Sequence, residues 1–169
     1  MRIHELSAEE CLAVLGRCRI GRLGCARDNQ PYVVPVHFSL DGDSLYSFAT
    51  LGQKITWMRD NPKVCLQVDE IQNRLQWTTV VVVGRYDELL HTPSNEEVRR
   101  RARDLFRENP EWWQPAANKL APNDANMPVI YRIRIEHLSG RRTERDAVDR
   151  VTAPWWIDDM FDMQTGRDG

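Results

Sequence analysis

The sequence predicts a mainly β protein with flanking helices (α+β), folded as one domain. Three observations lead there. Six runs at 18–26, 31–39, 45–49, 64–69, 77–86 and 129–136 have strand composition or period-two alternation. An Asp41-Gly42 pair separates two of them, as a tight hairpin turn with φ > 0 requires. Helical signals are confined to three short stretches, one before the first strand and two between later ones. A chain of 169 residues fits one domain and buries roughly 70% of its unfolded surface. We expect residues 1–145 to form that domain. Residues 146–169, acidic and aromatic with Trp155, Trp156 and Phe161, are expected as a tail packed on the domain or on a partner subunit.

Ser7-Ala8-Glu9-Glu10 is a capping box, with Leu6 and Cys11 placed as its hydrophobic staple. The helix it starts is expected to stop at Gly16 and to bury Cys11, Leu12 and Leu15. The first strand then contains Gly21 and Gly24, a sign of bulges or barrel corners. Residues 28–31 turn the chain into a strand holding Val34, Pro35, Val36 and His37. Proline cannot donate to a ladder, so Pro35 marks either an edge strand or backbone offered to a ligand.

After the 45–49 strand, Thr50, Gly52, Gln53 and Lys54 lead into a helix with Ile55 and Met58 on one face, ended by Asn61-Pro62. Hydroxyl, glycine, lysine and helix N-terminus are the parts of an anion site, and equally of a solvated helix start. The Walker pattern is absent. Val64, Leu66 and Val68 alternate with polar residues along a half-buried strand. Asp69 and Glu70 are neighbours on that strand, point to opposite faces and cannot share one site. Val80, Val81, Val82 and Val83 run without interruption, which predicts burial on both faces, with Gly84 as a corner.

Residues 92–107 form a helix with Val98, Ala102, Leu105 and Phe106 in one buried stripe. Arg99, Arg100, Arg101, Arg103 and Arg107 are expected on a solvated face paired with acids. Trp112 and Trp113 sit in a Pro-rich loop and are expected to plug the open end of a barrel. The last strand buries Val129, Tyr131, Ile133 and Ile135, and Ser139-Gly140-Arg141-Arg142 is expected as a turn.

Composition excludes several functions. A net charge of −2 gives no bulk attraction for nucleic acid. No apolar run approaches 18 residues and the N-terminus has no signal core, so neither a membrane span nor export is expected and the cytoplasm is the expected location. Cys11, Cys18, Cys25 and Cys65 form no CxxC and are expected as buried free thiols, with no metal site.

In this order, PYVVPVHF, DGDSLYSF, GQKITWMRDNPKVCLQVDE and WTTVVVVGRYDEL resemble the pyridoxamine 5′-phosphate oxidase-like FMN-binding family. The likeness is nearest to its short bacterial flavin-nucleotide-binding and nitroimidazole-resistance-like members, and covers roughly residues 6–142. It implies a six-stranded split β-barrel that forms a homodimer with FMN at the interface. By position, the resemblance lays Val34, Pro35 and Val36 along the isoalloxazine. It puts Ser47, Phe48, Ala49 and Thr50 at the ribityl and phosphate end, and Gln53 and Lys54 on the phosphate. Trp77 and Thr79 would come from the neighbouring strand or the partner, with Arg141 in reach. Many relatives carry a hydroxyl where this chain has Ala49, and nitroimidazole-resistance relatives often carry His where it has Phe48.

The implied activity is an FMN-dependent oxidoreductase acting on a small molecule, with His37 the candidate proton donor beside the ring. Pyridoxamine 5′-phosphate oxidation itself is not expected, because the Arg-Leu-containing C-terminal segment of those enzymes is missing. Two other readings stay open. One is a flavin carrier or sensor without turnover. The other is a haem protein on the same barrel, ligated by His4, His37, His91, His137 or a Cys.

Overall fold

A computed structural model describes residues 2–108 and 128–144. The elements are β1 (Arg2–Glu5), α1 (Ala8–Arg17), β2 (Ile20–Arg27), β3 (Gln30–His37), β4 (Ser39–Asp41) and β5 (Ser44–Ala49). There follow α2 (Gln53–Asp60), β6 (Lys63–Asn73), β7 (Gln76–Glu88), a 3-10 turn (Pro93–Asn95), α3 (Glu96–Arg107) and β8 (Val129–Glu144). The mainly β class with flanking helices holds. The strand count among the described residues is eight rather than six, because β1 was not foreseen and the 31–39 run divides into β3 and β4.

All strand pairs are antiparallel, in the order β3-β2-β6-β7-β8-β5-β4, with β1 added to β8. The two strands at the ends of this order, β3 and β4, are separated in the chain by Phe38 alone. Phe38 is buried in the core, and the sheet curls until its two ends meet there without a shared ladder. That is an open, split barrel.

Its interior follows from period two. Leu23 on β2, Leu66 and Val68 on β6, Val80 and Val82 on β7, and Tyr131 and Ile133 on β8 all point inward. α1 closes one side with Cys11, Val14 and Leu15, and α2 adds Ile55 and Met58. α3 covers the other face of β5 and β8, where Ala102, Leu105 and Phe106 meet Tyr46 and Ile130.

The capping box forms as read: the Ser7 N–H donates to Glu10 Oε2 at 2.8 Å, and the Glu10 N–H donates to Ser7 Oγ at 3.2 Å. α1 nevertheless runs through Gly16 to Arg17, with Cys18 as its C-cap. The hairpin turn lies one residue later than read, at Gly42-Asp43. Only Gly42 has φ > 0, the pattern of a turn with glycine first rather than a type I′ pair. Asp28 and Asn29, both at positive φ, form the turn that does have two left-handed residues.

Three further corrections concern faces. Val80 and Val82 are buried, but Val81 is half-buried and Val83 is 44% exposed, so the Val run is covered on one side only within the chain. Arg99 is buried rather than solvated, and its guanidinium donates to the Leu89 carbonyl oxygen; the other α3 arginines do pair with acids, Arg101 with Asp41 among them. The 139–142 segment is not a turn: β8 continues through it, pairing with β7 and β1. Among the thiols, all free, Cys11 and Cys25 are buried, Cys18 is half-buried and Cys65 is exposed. The expectations for Trp112, Trp113 and the 146–169 tail lie outside the described residues.

Candidate functional site

The strand register sorts the predicted residues by face. Residues opposite one another across a ladder share a face. Val34 opposes buried Leu23 and Val36 opposes Gly21, so both turn inward and pack on the core. Pro35 opposes Arg22 and His37 opposes Ile20, so both turn outward, on the terminal strand that proline tolerates.

Ser47 and Ala49 point into the barrel, where both are buried. The Ser47 hydroxyl donates to the His37 carbonyl oxygen at 2.7 Å. Beside it lies Tyr131, fully buried, its hydroxyl pushed up to about 12 by burial and making no hydrogen bond of good geometry. Phe48 turns the other way and packs edge-on against Phe106 of α3, ring centroids 4.9 Å apart. The side chains of Ser47, Phe48 and Ala49 therefore shape the wall. β4 begins at Ser39, opposite Tyr46, so on that side the strand ladder does not reach Ala49 and Thr50.

Thr50 and Gln53 are exposed at the start of α2, whose N-cap, Gly52, supplies no side-chain hydrogen bond to the first turn. Lys54 is half-buried there. Burial pushes its amine down from the ordinary 10.5, and the buried Cys25 thiol is a neighbour. No carboxylate lies within ion-pair reach of Lys54 among the described residues. This contrasts with Arg17–Glu70, Arg22–Asp69 and Arg59–Glu88, all closed at 2.6–2.7 Å. Those pairs also use up Asp69 and Glu70, which act as separate ion-pair partners, as expected.

Thr79 and Arg141 are direct cross-strand partners on the outer face. They line one cavity of about 540 Å³ with Glu5, Val81, His137 and Ser139. Trp77, half-buried, lines a second cavity with Arg142. His137 and Ser139 were missed as site residues because the last strand was ended too early. Period two carried on through Gly140 puts His137, Ser139 and Arg141 on one face.

The outer face also carries a continuous row across five strands: Val33, Gly24, Cys65, Val83, His137. Val33 is 62% exposed and Val83 44%. Gly24 is required in it, because a Cβ there would stand 2.8 Å from the Cys65 Sγ. His37 sits at the edge of this face. Burial lowers its pKa from 6.5, so the imidazole is neutral at pH 7 and offers a hydrogen bond more readily than a proton.

The family profile for pyridoxamine 5′-phosphate oxidase matches residues 7–142 of this chain. The chain belongs to the pyridoxamine 5′-phosphate oxidase-like family. An uncharacterised protein of Rhizobium meliloti is 40% identical over 144 residues, covering 83% of this chain and 95% of that protein. The crystal structure of an FAD-binding protein from Mesorhizobium loti is 41% identical with a TM-score of 0.71, covering 86% of this chain and 99% of the other. An FAD-binding protein from Mycobacterium smegmatis shares the fold at 20% identity and a TM-score of 0.59, over 83% and 100% of the two chains. The overall fold is the one these structures share with this chain.

The residues present fit a flavin nucleotide. Lys54 and the uncapped first turn of α2 offer an anion a charge and N–H groups. Val34, Pro35 and Thr79 offer flat apolar backbone and a hydroxyl. Among the described residues no three of His, Cys, Asp and Glu converge. No described helix is long and apolar enough to cross a membrane.

Proposed function

We propose that this chain is a cytoplasmic flavoprotein that binds a flavin nucleotide, FMN or FAD, between two copies of itself and acts as an oxidoreductase on a small molecule. The observation that carries this reading is Lys54: a half-buried amine beside an uncapped helix start, with no carboxylate partner among the described residues. Burying a cation without a partner is costly unless an anion arrives. A flavin phosphate is such an anion. The 41% identical FAD-binding relative supports a flavin, and the outer row from Val33 to Val83 supports a second copy covering that face.

When bound, the flavin supplies the redox chemistry. The chain's residues hold and shield it. Lys54 and Gln53 bind the phosphate, and Thr50 adds a hydroxyl. Val34, Pro35 and Val36 back the ring, with Ser47, Phe48 and Ala49 fixing the wall behind. Thr79 and Arg141 of the second copy close the other side. His37, neutral and at the edge, holds a hydrogen bond toward substrate or ring.

The test is an absorbance scan of the protein as purified, and again after adding FMN or FAD and desalting. Retained bands near about 375 and about 450 nm are expected of a bound flavin. A Soret band would replace this reading with haem ligation. Neither band after reconstitution would sink it. Oxidation of reduced nicotinamides by the loaded protein then separates an oxidoreductase from a carrier or sensor.

A further inference from the structure

The cavity of about 540 Å³ on the outer face lies within the size range of small-ligand sites, roughly 300–1,000 Å³. Its floor is one face of two paired strands: Thr79 and Val81 of β7, and His137, Ser139 and Arg141 of β8. Thr79 opposes Arg141 and Val81 opposes Ser139, so polar groups run along β8 with the apolar Val81 beside them. Glu5 and Leu6, where the chain leaves β1, complete the lining.

Most of the polar groups around this cavity are already committed. Asp69 on β6, the cross-strand partner of Thr79, accepts from Arg22 at 2.7 Å and from Gln67 at 2.9 Å. The Thr79 hydroxyl accepts from Gln67 at 3.3 Å and donates to the Val68 carbonyl oxygen at 3.2 Å, so it has no proton left for a ligand. Arg141 and Ser139 differ. Arg141 opposes Glu5 in the β1–β8 register, yet the two close no ion pair, and no other acid among the described residues reaches the guanidinium. The Ser139 hydroxyl makes no hydrogen bond among them either. The two side chains leave the same side of β8, their Cα atoms roughly 7 Å apart.

A guanidinium presents a planar fork that matches the two oxygens of a carboxylate, and a hydroxyl beside it adds a further donor. The lining holds one arginine against one acid, Glu5, which suits a single negative charge and repels a second. We infer that this cavity binds a small amphipathic monocarboxylate, its head on Arg141 and Ser139 and its apolar body along Val81 toward His137. Calling that molecule the substrate rests on the flavoprotein reading above, in which Arg141 faces the flavin; the binding itself does not. A neutral molecule of the same shape leaves the guanidinium unpaired, and a phosphate dianion meets Glu5.

The test titrates the full chain, without flavin, with phenylpropionate and with its neutral amide, read by calorimetry. The carboxylate should bind at least tenfold tighter than the amide. Arg141→Gln should bring the two affinities together, and Ser139→Ala should weaken the carboxylate about threefold. Arg85→Gln, at an exposed arginine elsewhere on the same face, should change neither. Thermal unfolding of each variant reports its folding. Equal wild-type affinities, or binding of neither probe, overturn the inference. So does a carboxylate preference that survives in Arg141→Gln. In the flavin-loaded protein the carboxylate should shift the flavin absorbance bands, and binding that leaves them unmoved overturns the substrate assignment. A chain that takes no flavin yet selects the carboxylate through Arg141 fails the flavin reading and upholds this site.

Discussion

The Ser47 hydroxyl donates a 2.7 Å hydrogen bond to the His37 carbonyl oxygen. It joins β5 to β3, strands that stand near opposite ends of the sheet order and share no ladder. Ser47→Ala leaves that acceptor buried beside Tyr131, whose hydroxyl already lacks a partner. We expect a loss of about 1–2 kcal/mol in urea unfolding. Flavin affinity should change less than threefold, because the hydroxyl faces the interior. A tenfold loss of affinity at unchanged stability would instead make Ser47 a ligand.

Lys54→Ala combined with Thr50→Ala should weaken flavin binding at least tenfold in a fluorescence titration. The affinity should also depend on pH with a definite sign. Burial holds the free Lys54 amine below its ordinary 10.5, and only the protonated form attracts phosphate. Affinity therefore falls as pH rises through that lowered value, before 10.5 is reached. A flat profile across this range would place the phosphate elsewhere.

Val83→Arg tests the second copy. The substitution puts a charge into the apolar outer row while leaving the core side of β7 untouched. Light scattering should show a dimer for the wild type and a monomer for the variant, and the monomer should retain no flavin after desalting. A monomeric wild type that binds flavin would remove the shared site.

Gly84 sits where the β7–β8 register shifts. A Cβ there would stand 2.5 Å from the Arg134 carbonyl oxygen and 2.8 Å from Ile133 Cγ2. Backbone cannot yield as a flexible side chain can, so Gly84→Ala should cost about 1–3 kcal/mol or more. Thermal unfolding that is unchanged would show the corner to be plastic.

Arg59 grips Glu88 through two bonds of 2.7 and 2.8 Å, and the Tyr86 hydroxyl donates to the same carboxylate at 2.8 Å. The guanidinium beside it holds the Glu88 carboxyl below its ordinary 4.5. The stabilisation is complete above pH 4.5 and drains as pH falls through the lower folded value. Arg59→Met should make the protein less stable at pH 7 and flatten its stability between pH 5 and acid, as measured by urea midpoints. An unaltered acid limb would mean that other carboxylates set it.

Some of this was local enough to read from the chain. The Ser7–Glu10 capping box involves groups three residues apart, and the structure forms it as the residues specify. Alternation along β6 sorted Val64, Leu66 and Val68 inward, and it separated Asp69 from Glu70 correctly. Gly84 was legible as a corner because glycine in a Val-rich strand has little other use. The ordered motifs were enough to point to the family.

Other features were settled by non-local contacts. Gly16 ends a helix by propensity, but packing of Val14 and Leu15 against the barrel carries α1 one residue further. Gly140 looked like a turn, whereas it is a strand residue lying beneath Cys11 and Leu6, where a Cβ would meet sulfur at 2.6 Å. That misreading cut β8 short and hid His137 and Ser139. Arg99 entered the protein because the Leu89 carbonyl was there to receive it, which no helical spacing encodes.

The sequence by itself determined where six strand-forming runs lie, the inward face of β6, and the family to which the chain belongs, since these depend on residues within a few positions of one another. Only the tertiary structure decided that Lys54 is half-buried without an acid beside it, that Ser47 faces inward, and that Thr79 meets Arg141 across a ladder. Those are consequences of strand order and register. Pairing brings together residues tens of positions apart, and a shift of one residue would exchange every face.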